Sequence, residues 1–402
     1  SIICLYGMKQ GEETKRRIHM EYTIPHYFEQ FRCVAAECED TCCAGWEIMI
    51  DEVSLEKYRK MEGAIGNRVR NSIDWDKGYF CQCDKRCTFL NEDNLCDLHI
   101  EAGEHMLCDT CRDYPRHMEE FEGLREGSLS LSCIEAAKLI LGCKEPVRFL
   151  HFEDDVEDEE YEEFDFLLFT KLMDAREKII EILQNREMDL KIRIGMALDV
   201  CSHIQDAIDK EELFQIDDIL LSFGTKDSIV AFQNRLKEYE IGEHEYCSNM
   251  RKILRVFHQL EVLKSDWPEY VKRAEFSLFA EGQRAYEDNR MHFNHTTTSE
   301  WDVWIEQLMV YFIFTYFCGA VYDGNVLGKM QSAVVFMILI RELALAKFQE
   351  NSQQLDLNMF VDIAHRVSRE IEHSDVNLLR LEKMCAKTAF LQTDQLLRVI
   401  LY

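Results

Sequence analysis

Positive charge is what this chain is short of. Its 402 residues carry 46 Lys and Arg against 75 Asp and Glu, a formal charge of −29. A protein that grips nucleic acid needs a concentrated basic face, so that class is excluded as the main reading. Proline is scarce, with four residues, of which only Pro268 follows Pro146. Apolar runs are limited too: Leu308 to Tyr322 and Ala333 to Ile340 are shorter than the ~20 residues of a bilayer span, and read as buried core helices. No alternating strand pattern stands out beyond residue 150, and no fixed-period repeat supports a solenoid. The opening run from Ser1 to Met8 has neither the basic start nor the length of a secretory leader. A reduced, cytoplasmic protein without membrane spans is expected, and its oligomeric state is not encoded in any motif.

Cysteine, in contrast, is abundant. Of 17 cysteines, twelve lie between Cys33 and Cys143. Such crowding means disulfides, a metal site, or both, and disulfides require an oxidising compartment. Three of the four prolines and ten of the 17 glycines also precede residue 150. The first third is therefore expected to be loops and short helices organised around something other than a large apolar core. Ten of the thirteen residues from Glu153 to Asp165 are carboxylates. That run reads as a solvated linker or helix start, or else as a docking strip for a basic partner. Beyond it, apolar residues recur at three- and four-residue steps, and 303–322 and 330–348 are apolar almost throughout. The expected fold is mainly α. An extension (1–20) precedes a loop-rich cysteine-cluster metal-binding domain (21–150), which packs on a larger all-α domain (151–402).

Within the cluster only Cys108 and Cys111 have the two-residue spacing of a zinc ribbon, and the triplet of radical S-adenosylmethionine (SAM) enzymes is missing. Iron–sulfur clusters accept less regular thiolate sets, usually four per cluster. His99, His105 and His117 lie among the cysteines and could complete a site. Buried free thiols and a purely structural metal are the plainer alternatives.

Several runs in this region resemble the flagellin lysine N-methylase family. They are Tyr27-Phe-Glu-Gln-Phe-Arg-Cys33, Cys38-Glu-Asp-Thr-Cys-Cys-Ala-Gly-Trp-Glu-Ile-Met-Ile-Asp51, Cys87-Thr-Phe-Leu-Asn-Glu-Asp-Asn-Leu-Cys96-Asp-Leu-His99 and Cys108-Asp-Thr-Cys-Arg-Asp-Tyr-Pro-Arg116. Leu129-Ser-Leu-Ser-Cys133 continues the likeness, although Ile134 stands where the family pattern has proline. Phe317-Cys-Gly-Ala-Val-Tyr-Asp323 and Ser368-Arg-Glu-Ile-Glu-His-Ser374 extend it into the second half. The same N-terminal pattern is similar to a broader zinc- or iron-chelating cysteine-cluster domain. The resemblance implies a [4Fe-4S] cluster, SAM as methyl donor, and lysine side chains of flagellin as substrate. It nominates Cys33, Cys38, Cys42, Cys43, Cys87, Cys96, Cys108, Cys111 and Cys133 as metal ligands. That set is too large for one cluster, so either a second metal binds or several cysteines only support the others. Cys81 and Cys83 have no matching positions.

Lysine methylation needs a neutral amine in line with a sulfonium methyl, hence a base or a desolvating site. Asp113 and Tyr114 are the nearest candidates in the matching run, against a plainer reading in which Asp113 pairs with Arg112 or Arg116 and Tyr114 packs. No Rossmann turn, phosphate loop or nucleophile elbow is present, so the SAM pocket has no motif. Arg366, Arg369, Glu370 and His373 share one helical face, either as surface ion pairs or as the lining of the junction between domains. Trp301 and Trp304 read as core residues or a recognition platform. Two rival functions stay open: a non-catalytic zinc- or iron-binding module, and an iron–sulfur redox protein.

Overall fold

A computed structural model describes residues 16–158, 164–297 and 299–402, and α-helices carry most of these residues. The first part contains more sheet than the sequence led us to expect. Strand β1 (Arg16–Pro25) is followed by α1 (Glu52–Lys60) and α2 (Gly63–Asn71). Two small ladders come next, β2 (Ile73–Asp74) with β3 (Tyr79–Phe80) and β4 (Gln82–Cys83) with β5 (Arg86–Cys87). The short helices α3 (Asp97–Ala102) and α4 (Asp109–Asp113) precede β6 (Arg116–Phe121), β7 (Leu124–Leu129), α5 (Ile134–Leu141) and β8 (Phe149–Asp158). The four long strands form one sheet in the order β6-β7-β1-β8, with β1 parallel to β7 and antiparallel to β8.

The acidic run corrects an expectation. Its first half is neither linker nor helix start: residues 153–158 extend β8, in register from Glu153 opposite Glu21 to Asp158 opposite Arg16. β8 is an edge strand, and its Glu153 and Asp154 are exposed to water. It also lies against a strand whose own sequence opens Arg16-Arg17-Ile18-His19. The rest of the run, 159–163, lies outside the described residues.

Helices α6 (Phe166–Leu183) and α7 (Leu190–Asp209) open the second part. Five shorter ones, α8 to α12, follow between Gln215 and Thr296, and then α13 (Ser299–Tyr316), α14 (Val326–Glu350), α15 (Leu357–Ile371), α16 (Asp375–Lys387) and α17 (Thr393–Leu401). α14 is buried nearly all round and packs on α7, α11 (Trp267–Phe279), α13, α15 and α16, as its uniformly apolar sequence requires. Among the described residues one segment, Glu300–Val321, is long and apolar enough to cross a membrane, but 72% of its most apolar 18 residues are buried inside the protein. It is a core helix.

Two apolar cores result. The large one joins the sheet and α5 to the helical part without a break. The small one belongs to the segment between Ile48 and Cys108 and is built on Tyr58, Val69, Phe80, Phe89 and Leu98. A buried ion pair helps fasten sheet to helices: Arg176 of α6 makes a two-pronged contact with Glu126 of β7, and donates to the carbonyl of Phe314 at 3.2 Å. Removing one partner strands a buried charge. Glu126→Ala should therefore lose about 3–5 kcal/mol of stability in urea unfolding, and the double change Glu126→Leu/Arg176→Met should recover most of it.

Candidate functional site

The loop 33–46 lies where the small core, the sheet and α15 meet. It contains little regular structure, and residues of α15 hold its stretch from Asp40 to Ala44. Arg369 donates to Asp40 Oδ1 at 2.8 Å and to the carbonyls of Asp40, Thr41 and Ala44. Its planar fork suits several acceptors at once. His365 Nε2 donates to Asp40 Oδ2 at 3.0 Å, and Lys264 Nζ reaches the same oxygen at 2.5 Å. Glu370 in turn accepts from the backbone N–H groups of Leu263 and Lys264 at 2.8 and 2.7 Å, fixing the segment that carries Lys264. Gly45 sits at φ +90°, a conformation that L side chains rarely adopt, and a Cβ there would stand 3.5 Å from Arg369 Nη2. Burial opposes ionisation of Asp40, but His365, Arg369 and Lys264 outweigh it and hold the carboxyl well below the usual range.

Of the four residues proposed for this face of the helical part, Arg369 and His373 line the junction. Glu370 braces it from behind. Arg366 instead is half-exposed and pairs with Asp362 at 3.1 Å.

Behind the loop is a cavity of about 200 Å³. Seven of the nominated thiols border it: Cys33, Cys38, Cys42, Cys43, Cys96, Cys111 and Cys133. Cys87 and Cys108 are buried in the small core alongside it. Cys81, Cys83 and Cys143 are not on its wall, and Cys143 instead contacts His26 and the carbonyl of Glu145. All of these are free thiols. Two pairs are in direct contact, Cys42 with Cys43 and Cys108 with Cys111. The hydrogen bond from Cys42 pulls Cys43 down to about 7, helped by Thr41, Arg86 and Arg369 against the cost of burial. Burial pushes Cys87 up to about 12 and Cys133 to about 11. Among the described residues no three His, Cys, Asp or Glu side chains already meet at one point as a closed metal site. The donor chemistry suits a soft metal, while the ligand positions are gathered rather than locked.

One wall is aromatic. Trp46 and Tyr114 line the cavity with ring centres 5.6 Å apart, and His373 packs on both, 4.8 Å from Trp46 and 5.9 Å from Tyr114. Ser132 ties the group together: its Oγ is 3.0 Å from the Tyr114 hydroxyl and 2.7 Å from His373 Nε2. The indole of Trp46 donates to the carbonyl of Cys42 at 2.7 Å, locking the ring to the double-cysteine turn. Burial pushes His373 down to about 3, with Arg369 and His365 adding to it, so its imidazole is neutral.

Asp113, the other candidate base, is exposed on α4 and forms a two-pronged pair with Arg112, away from the cavity wall. His99 borders the cavity, His105 is exposed, and His117 pairs with Glu119 at 3.1 Å. Trp301 is buried against Phe293 and Phe360, and Trp304 stacks on Phe360. Both also face a larger cavity of about 790 Å³ at the far end of α5. Sequence reasoning did not single out Trp46, Ser132, Asp40 or His365. Trp46 and Asp40 lie inside the double-cysteine run, the one signal that pointed toward them.

A helical protein whose C-terminal half holds an N-terminal thiol-rich loop beside a neutral aromatic wall is the class that fold and site define. Within that class the chain belongs to the family described as the FliB lysine N-methylase C-terminal domain, which it matches over residues 176–399, more than half its length. It is also similar, 29% identical over 128 residues, to the Flagellar biosynthetic protein FliU of Salmonella muenchen; the match covers 30% of this chain and 76% of that one. Lysine-N-methylases of Salmonella typhimurium and Salmonella choleraesuis are each 28% identical over 128 residues, 30% of this chain and 32% of theirs. The match thus spans about a third of the length of those two relatives. No solved structure matches the chain.

Asp40 has a testable signature. A carboxyl held below its unfolded value (about 3.9) stabilises the fold above that pH, and the contribution fades as pH falls below it. Asp40→Asn should cost about 1–3 kcal/mol at neutral pH, and the gap from the parent protein should narrow in unfolding measured from pH 5 down to pH 2.

Proposed function

We propose that the protein is a SAM-dependent protein-lysine N-methyltransferase acting on flagellin, and that the junction cavity is where the amine is received. The observation that carries this reading is the aromatic wall of Trp46 and Tyr114 beside the thiols, in a chain belonging to a lysine N-methylase family. Both partners in such a reaction are cationic before transfer: the donor as a sulfonium, the lysine as an ammonium. Ring faces of Trp and Tyr stabilise such cations and the alkylated product after them. The amine must lose its proton before attack, and the buried surroundings that keep the His373 imidazole and the Tyr114 hydroxyl neutral favour that loss by penalising the ammonium form. Tyr114 thereby keeps the role it had in the sequence, while the exposed Asp113 is left to its pair with Arg112.

The iron–sulfur assignment is part of the same proposal. Three of the four thiols Cys33, Cys38, Cys42 and Cys133 would hold a [4Fe-4S] cluster on the cavity side, so that one iron carries no thiolate. When bound, it supplies an iron able to take the amino and carboxylate groups of SAM. Zinc is the alternative metal for the same donors. Free thiols throughout the described residues suit a reducing, cytoplasmic setting. The −29 charge favours approach of a lysine-bearing substrate, an attraction that salt weakens.

The test is methyl transfer from labelled SAM to flagellin by anaerobically purified protein, read by mass spectrometry of flagellin lysines. Trp46→Ala and Tyr114→Ala should each lower kcat/KM about tenfold or more, whereas Tyr114→Phe, which keeps the ring face, should lose less. Absence of transfer by folded, metal-loaded protein would sink the proposal.

A further inference from the structure

The nine nominated thiols fall into two groups. We infer that they build two separate soft-metal centres that meet at the adjacent residues Cys42 and Cys43: a junction centre drawn from Cys33, Cys38, Cys42 and Cys133, and an inner centre drawn from Cys43, Cys87, Cys96, Cys108 and Cys111. This rests on the proposal that these cysteines bind metal, and not on the methyl transfer.

Packing is the first ground. Cys87 and Cys108 are part of the small core, and Cys43, Cys96 and Cys111 pack against it. Cys38 and Cys133 pack against the large core instead. The same division appears in which thiols stand within electrostatic reach of each other. Cys42 is near Cys33 and Cys133, and Cys133 near Cys33 and Cys38. Cys87 is near Cys43, Cys96 and Cys108, and Cys111 is near Cys43, Cys87 and Cys108.

The backbone is the second ground. Around the inner set it forms a cage: the N–H of Cys87 donates to the carbonyl of Cys43 at 2.9 Å, Cys96 bridges Leu90, and Cys108 Sγ lies 3.8 Å from the Met49 carbonyl. The junction set is spread over separate elements. Cys133 caps α5, while Cys33, Cys38 and Cys42 lie on the loop that Arg369 holds. Cys42 and Cys43 touch, so the two sets adjoin without merging.

The surroundings assign different work to each. Cys87 and Cys108 are closed off in the small apolar core, and thiolates so placed are the pattern of a structural centre, whose binding energy is also folding energy. The junction set has an open side: Cys33 is exposed, and all four of its thiols border the cavity with Trp46 and Tyr114, which Cys43, Cys96 and Cys111 of the other set reach from the small core. That is the arrangement of a centre with a position left for a ligand. Because no three of these side chains yet meet at a point, each set closes on its metal by side-chain rotation.

The experiment uses the full chain, purified anaerobically, with iron, zinc and sulfide measured on the same sample. Cys38→Ser/Cys133→Ser should lose one centre's metal and keep the other's, with an unchanged melting temperature and far-UV spectrum. Cys87→Ser/Cys108→Ser should show the converse loss and a lower melting temperature. Should that variant fail to fold, a chelator added to the parent protein replaces it: two-phase metal release, reduced to the slow phase alone in Cys38→Ser/Cys133→Ser, supports two centres. A parent protein holding a single centre, or a junction variant that folds and holds no metal at all, overturns the inference. Methyl transfer by a single-centre protein would leave the proposed function standing while removing this one.

Discussion

Everything at the site depends on a single carboxylate. Asp40 sits in a loop with almost no regular hydrogen bonding of its own, and His365, Arg369 and Lys264 converge on it from the helical part. A loop of this kind has no intrinsic reason to hold one shape. It holds one because three partners, themselves positioned by α15 and Glu370, leave its carboxylate and carbonyls a single well-satisfied arrangement. The thiols on either side of Asp40 and the indole of Trp46 inherit their positions from that contact. The family match covers the C-terminal half, and the thiols lie in the N-terminal third, so the site is a product of both.

The large and small cores divide the labour in a related way. The sheet and α5 share the apolar interior of the helical part, and the Glu126–Arg176 pair reinforces that union. The segment from Ile48 to Cys108 has only a modest cluster of its own, with cysteines among its members. A core that small leaves little margin against the entropy of ordering its loops, which is where a bound metal does most for stability.

Sequence and structure agree where the signal is local. Helical periodicity after Phe166 marked the helices, and uniform apolarity marked α13 and α14 as central, because both follow from which faces of a helix meet water. Crowded cysteines marked the region of the site. What the sequence did not disclose depends on pairing between distant segments. β8 escaped notice because an acidic edge strand lacks the alternation that strands with one buried face display, and its partner lies at the other end of the N-terminal region. His373 meets Trp46 and Ser132 only through the docking of α15, and no spacing rule connects residues so far apart. Asp113 and Tyr114 are neighbours in sequence, yet the end of α4 turns one to solvent and the other to the cavity.

The charge of β8 has a consequence for the molecule among its own copies. An open sheet edge offers unpaired backbone groups to any strand that comes alongside, a second copy of the same edge included. Here the strand runs into a dense row of carboxylates, so two such edges would bring like charges into register along their length. Like charges so placed disfavour a fifth strand beside the four of this sheet. Without such charges, the same open edge would be adhesive to any strand alongside it.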